Sequence, residues 1–218
     1  MTSDEFDVLS SDLRRLAKLI PLQWGAIQNN QYDHLIDMFS CTDFNSLEKV
    51  LSSFGDQIKQ YFRRRWYMWR CAQCDEYLFY KNNNVESNPN PRDQGWDIRI
   101  DGRIYFDIKG TVVPRDMRGA VEDLINDPTP MIQFFYERQS RGVRYCYQNR
   151  LFVVHHSFVE QAREFYLRCA WGGKESAYAD FCKNLSDVRI IPYKGCEAAV
   201  VFVIERERGK AAYLMPRK

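Results

Sequence analysis

The sequence predicts a mixed α/β protein that begins with a helical region. Three observations lead to this prediction. Apolar residues follow a helical spacing up to about residue 84, and between residues 96 and 108 they alternate with polar residues, as in a strand. Near the carboxyl end, residues 199–204 form a continuous apolar run that suits a strand covered on both faces. At 218 residues, the chain is long enough to bury one sizeable core.

The amino-terminal part predicts a helical extension over residues 1–54. Its first apolar residues step by three and four positions, the spacing of one helix face. These residues are Phe6, Leu9, Leu13, Leu16 and Ile20. A long helical stretch near residues 56–81 carries Glu76 among apolar neighbours and is ended by three consecutive asparagines. Residues 87–91 contain two Asn-Pro steps and predict a loop.

The remainder, residues 55–218, predicts an α/β core. Its strands are expected near residues 95–101, 103–113, 150–156 and 198–206. Its helices are expected near residues 56–81, 115–145 and 158–171, the second being a helical insertion. Asp101 and Gly102 stand between two alternating runs, which indicates a β-hairpin. Gly172 and Gly173 predict a break after the last helix.

Charge, hydropathy and cysteine content narrow the function classes. The 31 basic and 29 acidic residues leave a net charge of +2, so a nucleic acid would have to meet a local basic patch. No apolar run approaches the ~20 residues of a membrane span, and the amino terminus lacks a targeting pattern, so we expect a soluble protein without a membrane partner. The odd number of seven cysteines indicates reduced thiols and a cytoplasmic location.

The hairpin carries a group of charged residues. Strand alternation places Asp107 and Lys109 on one face. Asp97 joins this face only if the hairpin loop is odd in length or contains a bulge, because a slip of one residue turns every side chain over. A two-residue loop would pair Asp97 with Phe106 and separate the two carboxylates. A three-residue loop, over residues 100–102 or 101–103, brings Asp97 opposite or diagonal to Asp107.

Two carboxylates that meet beside water form a hard oxygen site suited to Mg²⁺ or Mn²⁺. Such an ion lowers the pKa of bound water, and Lys109 can orient or deprotonate the attacking water or offset charge in the transition state. These groups predict metal-assisted hydrolysis of a phosphodiester. The alternative is that they form only the solvated face of a half-buried hairpin.

The run Gly95-Trp96-Asp97-Ile98, followed by a turn and by the run from Phe106 to Thr111, resembles the core motif of the PD-(D/E)XK nuclease superfamily. Members of this superfamily have the restriction-endonuclease-like fold. The resemblance implies an αβββαβ order and a central mixed sheet flanked by helices. Trp96 stands where the name of the motif has proline, and the motif itself specifies no substrate.

The resemblance also implies roles for individual residues. Asp97 corresponds to the first metal-binding acid and Asp107 to the second, with the backbone carbonyl of Ile108 as a further ligand and Lys109 as the catalytic lysine. Glu76 corresponds to the acid that many members carry on the first core helix. The implied protein is a nuclease that acts on DNA with Mg²⁺ or Mn²⁺. Double-strand cleavage with one site per chain would favour a homodimer. This expectation comes from the reaction and not from any particular residue.

Two other function classes remain open. A non-catalytic protein that binds nucleic acid or a partner would keep the same scaffold without holding a metal. Cys71 and Cys74 form a Cys-x-x-Cys in a helical pattern, which is typical either of thiol redox chemistry or of two buried helix cysteines. No second cysteine pair stands at zinc-ligand spacing.

Other polar residues give weaker signals. Four arginines lie among aromatic residues on the long predicted helix. There they would either follow a nucleic-acid backbone or form an ion-paired face. They are Arg63, Arg64, Arg65 and Arg70. His155 and His156 end a predicted strand, where they would either contact a phosphate or support the structure. Gln139, Ser140 and Arg144 would either reach a substrate or lie on the surface.

Overall fold

The computed structural model of the chain describes residues 1–20, 32–90, 95–138 and 148–218. These residues form two compact units, Met1–Cys74 and Asp75–Lys218. No helix among the described residues is both long enough and apolar enough to cross a membrane.

The secondary structure of the described residues follows the chain in this order. The helices are α1 (Ser3–Leu16), α2 (Phe44–Leu51), α3 (Asp56–Tyr80), α4 (Val121–Asn126), α5 (Thr129–Arg138), α6 (Glu164–Arg168) and α7 (Trp171–Lys183). The strands are β1 (Val85–Ser87), β2 (Ile98–Ile100), β3 (Ile104–Val112), β4 (Arg150–Ser157), β5 (Ile191–Tyr193), β6 (Cys196–Glu207) and β7 (Lys210–Leu214). Short 3₁₀ helices lie at Met38–Ser40, Arg115–Ala120, Gln161–Arg163 and Leu185–Asp187.

The first unit is helical and contains α1, α2 and most of α3. Leu13 of α1 and Leu47 of α2 are fully buried, as the apolar spacing predicts. The Asp12 carboxylate accepts a hydrogen bond from the backbone N–H of Phe44, at 2.9 Å, where α2 begins. This unit ends at Cys74, within α3, whereas the helical extension predicted from the sequence ends at residue 54.

The second unit is built on a mixed sheet in the order β1-β2-β3-β4-β6-β5, with β7 also paired to β6. Strands β1, β2 and β3 are antiparallel, whereas β3, β4 and β6 are parallel. The 3₁₀ helix at Arg115–Ala120 and helices α4 and α5 lie between the parallel strands β3 and β4, a connection that must cross over the sheet. The predicted α/β class is confirmed.

Helices cover both faces of this sheet. On one face, the ring of Phe135 from α5 lies 4.9 Å from that of Phe152 on β4. On the other face, Phe79 of α3 stacks on Tyr178 of α7 with ring centres 3.9 Å apart, and both side chains are fully buried. Burial of aromatic surface on both sides explains why β4 and β6 contain continuous apolar runs, at residues 151–154 and 198–204.

A buried ion pair joins the end of α3 to α7 within the second unit. The Lys174 ammonium donates hydrogen bonds to the Asp75 carboxylate at 2.8 Å and to the carbonyl of Arg168 at 2.9 Å. The hydroxyl of Tyr178 donates to the same Asp75 oxygen at 2.8 Å. Because buried charges are tolerated only when paired and hydrogen-bonded, this network fixes how α7 packs against the end of α3.

The long elements confirm the sequence predictions. Helix α3 and strands β3, β4 and β6 lie where they were expected. The predicted helical stretch near residues 115–145 is confirmed as far as residue 138, and its remainder lies outside the described residues. The strand predicted near residues 95–101 is shorter, since β2 begins only at Ile98.

The predicted loop at residues 87–91 is confirmed for residues 88–90, whereas Ser87 pairs with Ile98 as the last residue of β1. The predicted break at Gly172 and Gly173 is wrong. Gly172 and Gly173 do not break a helix but lie in the first turn of α7. Glycine at position 173 allows the ring of Tyr213 on β7 to lie close to α7, because an added Cβ would collide with that ring. The helix predicted near residues 158–171 is instead a 3₁₀ turn followed by the five-residue α6.

Candidate active site

The β2–β3 hairpin brings the two predicted metal-binding acids together. Ile100 pairs with Ile104, which leaves a loop of three residues. Gly102 in this loop has a φ of 68°, in the left-handed region that glycine adopts without strain. The pairing ends at Ile98 and Phe106, and its continuation by one residue sets Asp97, which precedes β2, across from Asp107. The carboxyl groups of Asp97 and Asp107 are also within hydrogen-bonding reach of each other. The predicted odd loop length is confirmed, and the two-residue loop that would separate the carboxylates is excluded.

The Asp97 carboxylate is held by the backbone of the facing strand. It accepts a hydrogen bond of 2.6 Å from the N–H of Ile108, while the N–H of Asp97 donates to the carbonyl of Phe106 at 2.8 Å. Burial raises the pKa of Asp97 to about 6, and the negative charge of Asp107 contributes to this rise.

The Asp107 carboxylate lies between two cations. One oxygen accepts a hydrogen bond from the ammonium of Lys109, and the other is 3.5 Å from Nε of Arg150. The Asp107 side chain is buried, whereas 37% of the Lys109 side chain is exposed. Lys109 therefore presents its charge both to Asp107 and to solvent, as the alternation of β3 predicts.

Glu76 of α3 lies near the hairpin acids. The pKa of Glu76 is raised to about 8, first by burial and then by the charge of Asp97, while the ammonium of Lys109 opposes the rise. Asp75 and Asp107 also contribute. The structure thus brings together the four side chains that the sequence analysis selected: Glu76, Asp97, Asp107 and Lys109.

The backbone carbonyl of Ile108 was the further metal ligand that the resemblance implied. The N–H of Asp107 points to β4, where it donates to the carbonyl of Asn149 at 2.9 Å. Backbone groups alternate along a strand, so the N–H and the carbonyl of Ile108 point to the other side, where the Asp97 carboxylate lies. This is the side that the implied role requires.

The donor set of this site fits a hard divalent cation. The described residues include no ready-made group of three or more His, Cys, Asp or Glu side chains that could hold a metal ion. Mg²⁺ nevertheless commonly binds through one or two carboxylates and retains several waters, which matches the facing pair of Asp97 and Asp107. Binding at Asp107 would have to replace part of its contact with Lys109.

Arg150 is a residue of this site that the sequence analysis missed. It is the first residue of β4 and pairs with Asp107 across the parallel strands. Its guanidinium stacks on the ring of Tyr136 at 5.1 Å. The only sequence signal was its place at the start of a predicted strand, and the parallel pairing of β4 with β3 is not readable from local sequence.

The two histidines are buried within the fold. His155 is completely buried, and its Nδ1–H donates to the carbonyl of Thr111 at 2.9 Å. Burial, with the charges of Lys174 and Arg168, holds the pKa of His155 well below its ordinary value. His156 is also buried, with Nδ1 3.3 Å from the Glu164 carboxylate. These contacts favour the structural interpretation of both residues.

The cysteine pair and the arginine-rich stretch of α3 also have structural contacts. Cys71 and Cys74 are almost completely buried, unlike the partly exposed thiols of redox sites. Arg63 forms an ion pair with Glu48, and Arg65 forms one with Asp33. Trp66, Tyr67 and Trp69 lie in the same stretch, and the first two are fully buried. Gln139, Ser140 and Arg144 lie outside the described residues.

No family model, curated protein or solved structure matches the chain. The functional conclusion therefore depends on the site itself.

Proposed function

We propose that this protein is a divalent-metal-dependent nuclease that hydrolyses phosphodiester bonds in DNA. The placement of Asp97 opposite Asp107 is the observation that carries the proposal. Lys109 on Asp107 and Glu76 near Asp97 complete a set of groups suited to this reaction.

The order of elements around the site supports the proposal. Helix α3 is followed by the antiparallel strands β1, β2 and β3, by the helical crossover, and by the parallel strand β4. This order corresponds to the αβββαβ arrangement that the resemblance implies. The helices at residues 115–138 then correspond to the second core helix rather than to an insertion, and β6 extends the sheet beyond the core.

The metal would be held by carboxylate oxygens of Asp97 and Asp107 and by the carbonyl of Ile108. A bound divalent ion lowers the pKa of a coordinated water and stabilises negative charge on the phosphate. The hydrogen bond from the Ile108 N–H fixes the Asp97 carboxylate in advance, so little ordering remains to be done when substrate binds.

Two other side chains move or balance charge in this proposal. Lys109 is exposed enough to meet substrate, and its ammonium orients the attacking water or offsets charge that develops in the transition state. Glu76, whose pKa is about 8, carries a proton at neutral pH before a metal binds. It becomes a carboxylate, and thus a proton acceptor, when positive charge enters the site.

A non-catalytic binding protein is the second candidate, and one observation favours it. Asp107 is already paired with two cations, Lys109 and Arg150. In a protein that never binds a metal, the pair with Lys109 would only neutralise Asp107, and the pair with Arg150 would only hold β3 against β4. The two candidates differ in whether divalent cations bind.

Cleavage of supercoiled plasmid and of short linear DNA by the purified protein tests the proposal. Reactions contain Mg²⁺, Mn²⁺ or a chelator, and the proteins are the wild type, Lys109→Ala and, as control, Lys210→Ala. Lys210 is a highly exposed residue of the same unit. We expect metal-dependent cleavage by the wild type and the control, and its loss in Lys109→Ala.

Absence of cleavage under all conditions, together with absence of any metal-induced rise in melting temperature, would instead support the binding protein. Double-strand cleavage would need two such sites, so the homodimer stays a prediction that sedimentation of the same samples can test.

A further inference from the structure

Arg150 is held in a fixed position beside the candidate metal ligand Asp107. Its side chain is 11% exposed, and its guanidinium lies against the ring of Tyr136. That ring is itself fixed, because the Tyr136 hydroxyl donates to the carbonyl of Gln148 at 2.7 Å and the ring stacks on Tyr193 at 4.8 Å. The guanidinium is therefore preorganised in one position rather than moving freely in solvent.

One donor of this guanidinium has no hydrogen-bond acceptor within the described part of the chain. Nε of Arg150 is buried and donates no hydrogen bond there. Its distance of 3.5 Å to the Asp107 carboxylate is an ion-pair distance, longer than a hydrogen bond between charged groups. A buried donor without an acceptor is destabilising, so such groups in proteins often await a ligand or water.

The charges around Arg150 favour an anion as that ligand. Asp97 and Asp107 carry two negative charges, which Lys109 and Arg150 balance. A divalent cation on the two carboxylates would leave the site with excess positive charge, even after Glu76 becomes a carboxylate. An arginine fork matches the oxygens of a phosphate, and a phosphate bound beside Asp107 lies within reach of Arg150.

We propose that Arg150 is a phosphate-binding residue that holds the phosphodiester of the substrate beside Asp107. This inference rests on the proposed nuclease function and deepens it, since it assigns the group that recognises the substrate backbone. A contact of this kind recognises phosphate and not base sequence.

The test measures binding rather than turnover. A fluorescently labelled 20-nucleotide DNA, single-stranded or duplex, is titrated with protein in Ca²⁺, which takes the same oxygen ligands as Mg²⁺. The proteins are wild type, Arg150→Gln, Arg150→Lys and the control Arg103→Gln. Arg103 is an exposed arginine of the hairpin loop, so its substitution removes the same charge from the surface.

We expect Arg150→Gln to weaken binding about 10- to 100-fold, the effect of losing hydrogen bonds between charged groups. Arg150→Lys keeps the charge and is expected to lose less affinity. The DNA affinity of Arg103→Gln is expected to lie within about threefold of the wild-type affinity, because the loss of one exposed surface charge has a small effect. In cleavage assays the Arg150 variants should raise KM more than they lower kcat.

Two results would overturn the inference. One is an Arg150→Gln protein that binds DNA as tightly as the wild type does, or whose loss of affinity is no larger than that of Arg103→Gln. The other is equal loss in Arg150→Gln and Arg150→Lys with a lowered melting temperature, which assigns Arg150 a structural role.

The same data separate this inference from the nuclease proposal. Wild-type binding that depends on Arg150, without cleavage under any metal condition, supports the inference and contradicts the nuclease. Cleavage with unchanged binding and KM in Arg150→Gln contradicts the inference alone. Failure of the wild type to bind either DNA contradicts both.

Discussion

Glu76 and Asp97 retain their protons to a higher pH than ordinary carboxylic acids do. Burial is the first cause for both residues, and the repulsion between neighbouring carboxylates is the second. In the absence of a bound cation, the site therefore stores unfavourable electrostatic energy as the pH rises. A group of acids with raised pKa values around a lysine is more typical of a functional site than of a solvated strand face.

Substitution of Glu76 by glutamine tests this electrostatic description at the level of one residue. The pKa of Glu76 is about 8 in the folded protein, above its ordinary value of 4.5, so the wild type loses stability as the pH rises from about 4.5 to 8. Glu76→Gln does not titrate and should avoid this loss. At pH 8.5 and without metal, we expect the variant to be roughly 2–4 kcal/mol more stable than the wild type.

Urea denaturation at pH 5 and pH 8.5 measures this difference. The two proteins should be similar at pH 5, where Glu76 is protonated in the folded state. Glu197→Gln, at an exposed position of β6, is the control and should show the same dependence on pH as the wild type. A Glu76→Gln protein with the same pH dependence as the wild type would contradict the description of a buried, repelled carboxyl group.

The sequence was sufficient to select four of the five charged residues of the site. Asp97, Asp107 and Lys109 could be selected because strand alternation and loop parity are local properties. Glu76 required the resemblance, since a single glutamate on a helix is usually solvated. Arg150 could not be selected, because it meets Asp107 only through the parallel pairing of β3 with β4.

Strand β3 is the element on which the candidate site depends, and its packing is tight next to Lys109. Gly110 follows Lys109 directly, and a Cβ at Gly110 would lie 2.8 Å from Nη1 of Arg168. Arg168 is itself buried, with 6% of its surface exposed, so its guanidinium has little room to move away. Glycine at this position therefore lets the α6 arginine cross β3 closely.

Replacement of Gly110 by alanine tests this packing. We expect Gly110→Ala to destabilise the protein by about 1–3 kcal/mol, the usual cost of an added methyl group in a filled space. Gly119→Ala is the matched control, because nothing lies within 4 Å of a Cβ added there. Its effect should be neutral or slightly stabilising. Equal unfolding free energies for the two variants in urea would show that Arg168 yields easily and that β3 is loosely packed.

Prediction of elements from sequence succeeded where patterns were long. Helix α3, with 25 residues, and the long apolar strand β6 have clear periodicity. Strands β1 and β5 have three residues each, too few to establish a period of two. Helix α7 was not predicted, since Gly172 and Gly173 suggested a break, although their role is to admit Tyr213.

At the scale of the whole molecule, the site combines residues from separate stretches of the second unit. Glu76 comes from α3, Asp97 and Asp107 from the hairpin, and Arg150 from the strand after the helical crossover. The buried Lys174–Asp75 pair and the Phe79–Tyr178 stack hold the end of α3 in this unit, next to Glu76. The fold thus supplies the rigid support that a preorganised site requires.

The central claim is that Asp97 and Asp107 together hold a divalent cation. Titration of the protein with Mn²⁺, followed by the loss of the free-ion signal in electron paramagnetic resonance, tests it most directly. We expect saturable binding to the wild type and to Asp116→Asn, a control at an exposed aspartate. Asp97→Asn and Asp107→Asn should each weaken binding about 10-fold or more, because each removes one ligand charge. Equal binding by all four proteins, or absence of saturable binding by the wild type, would contradict the claim.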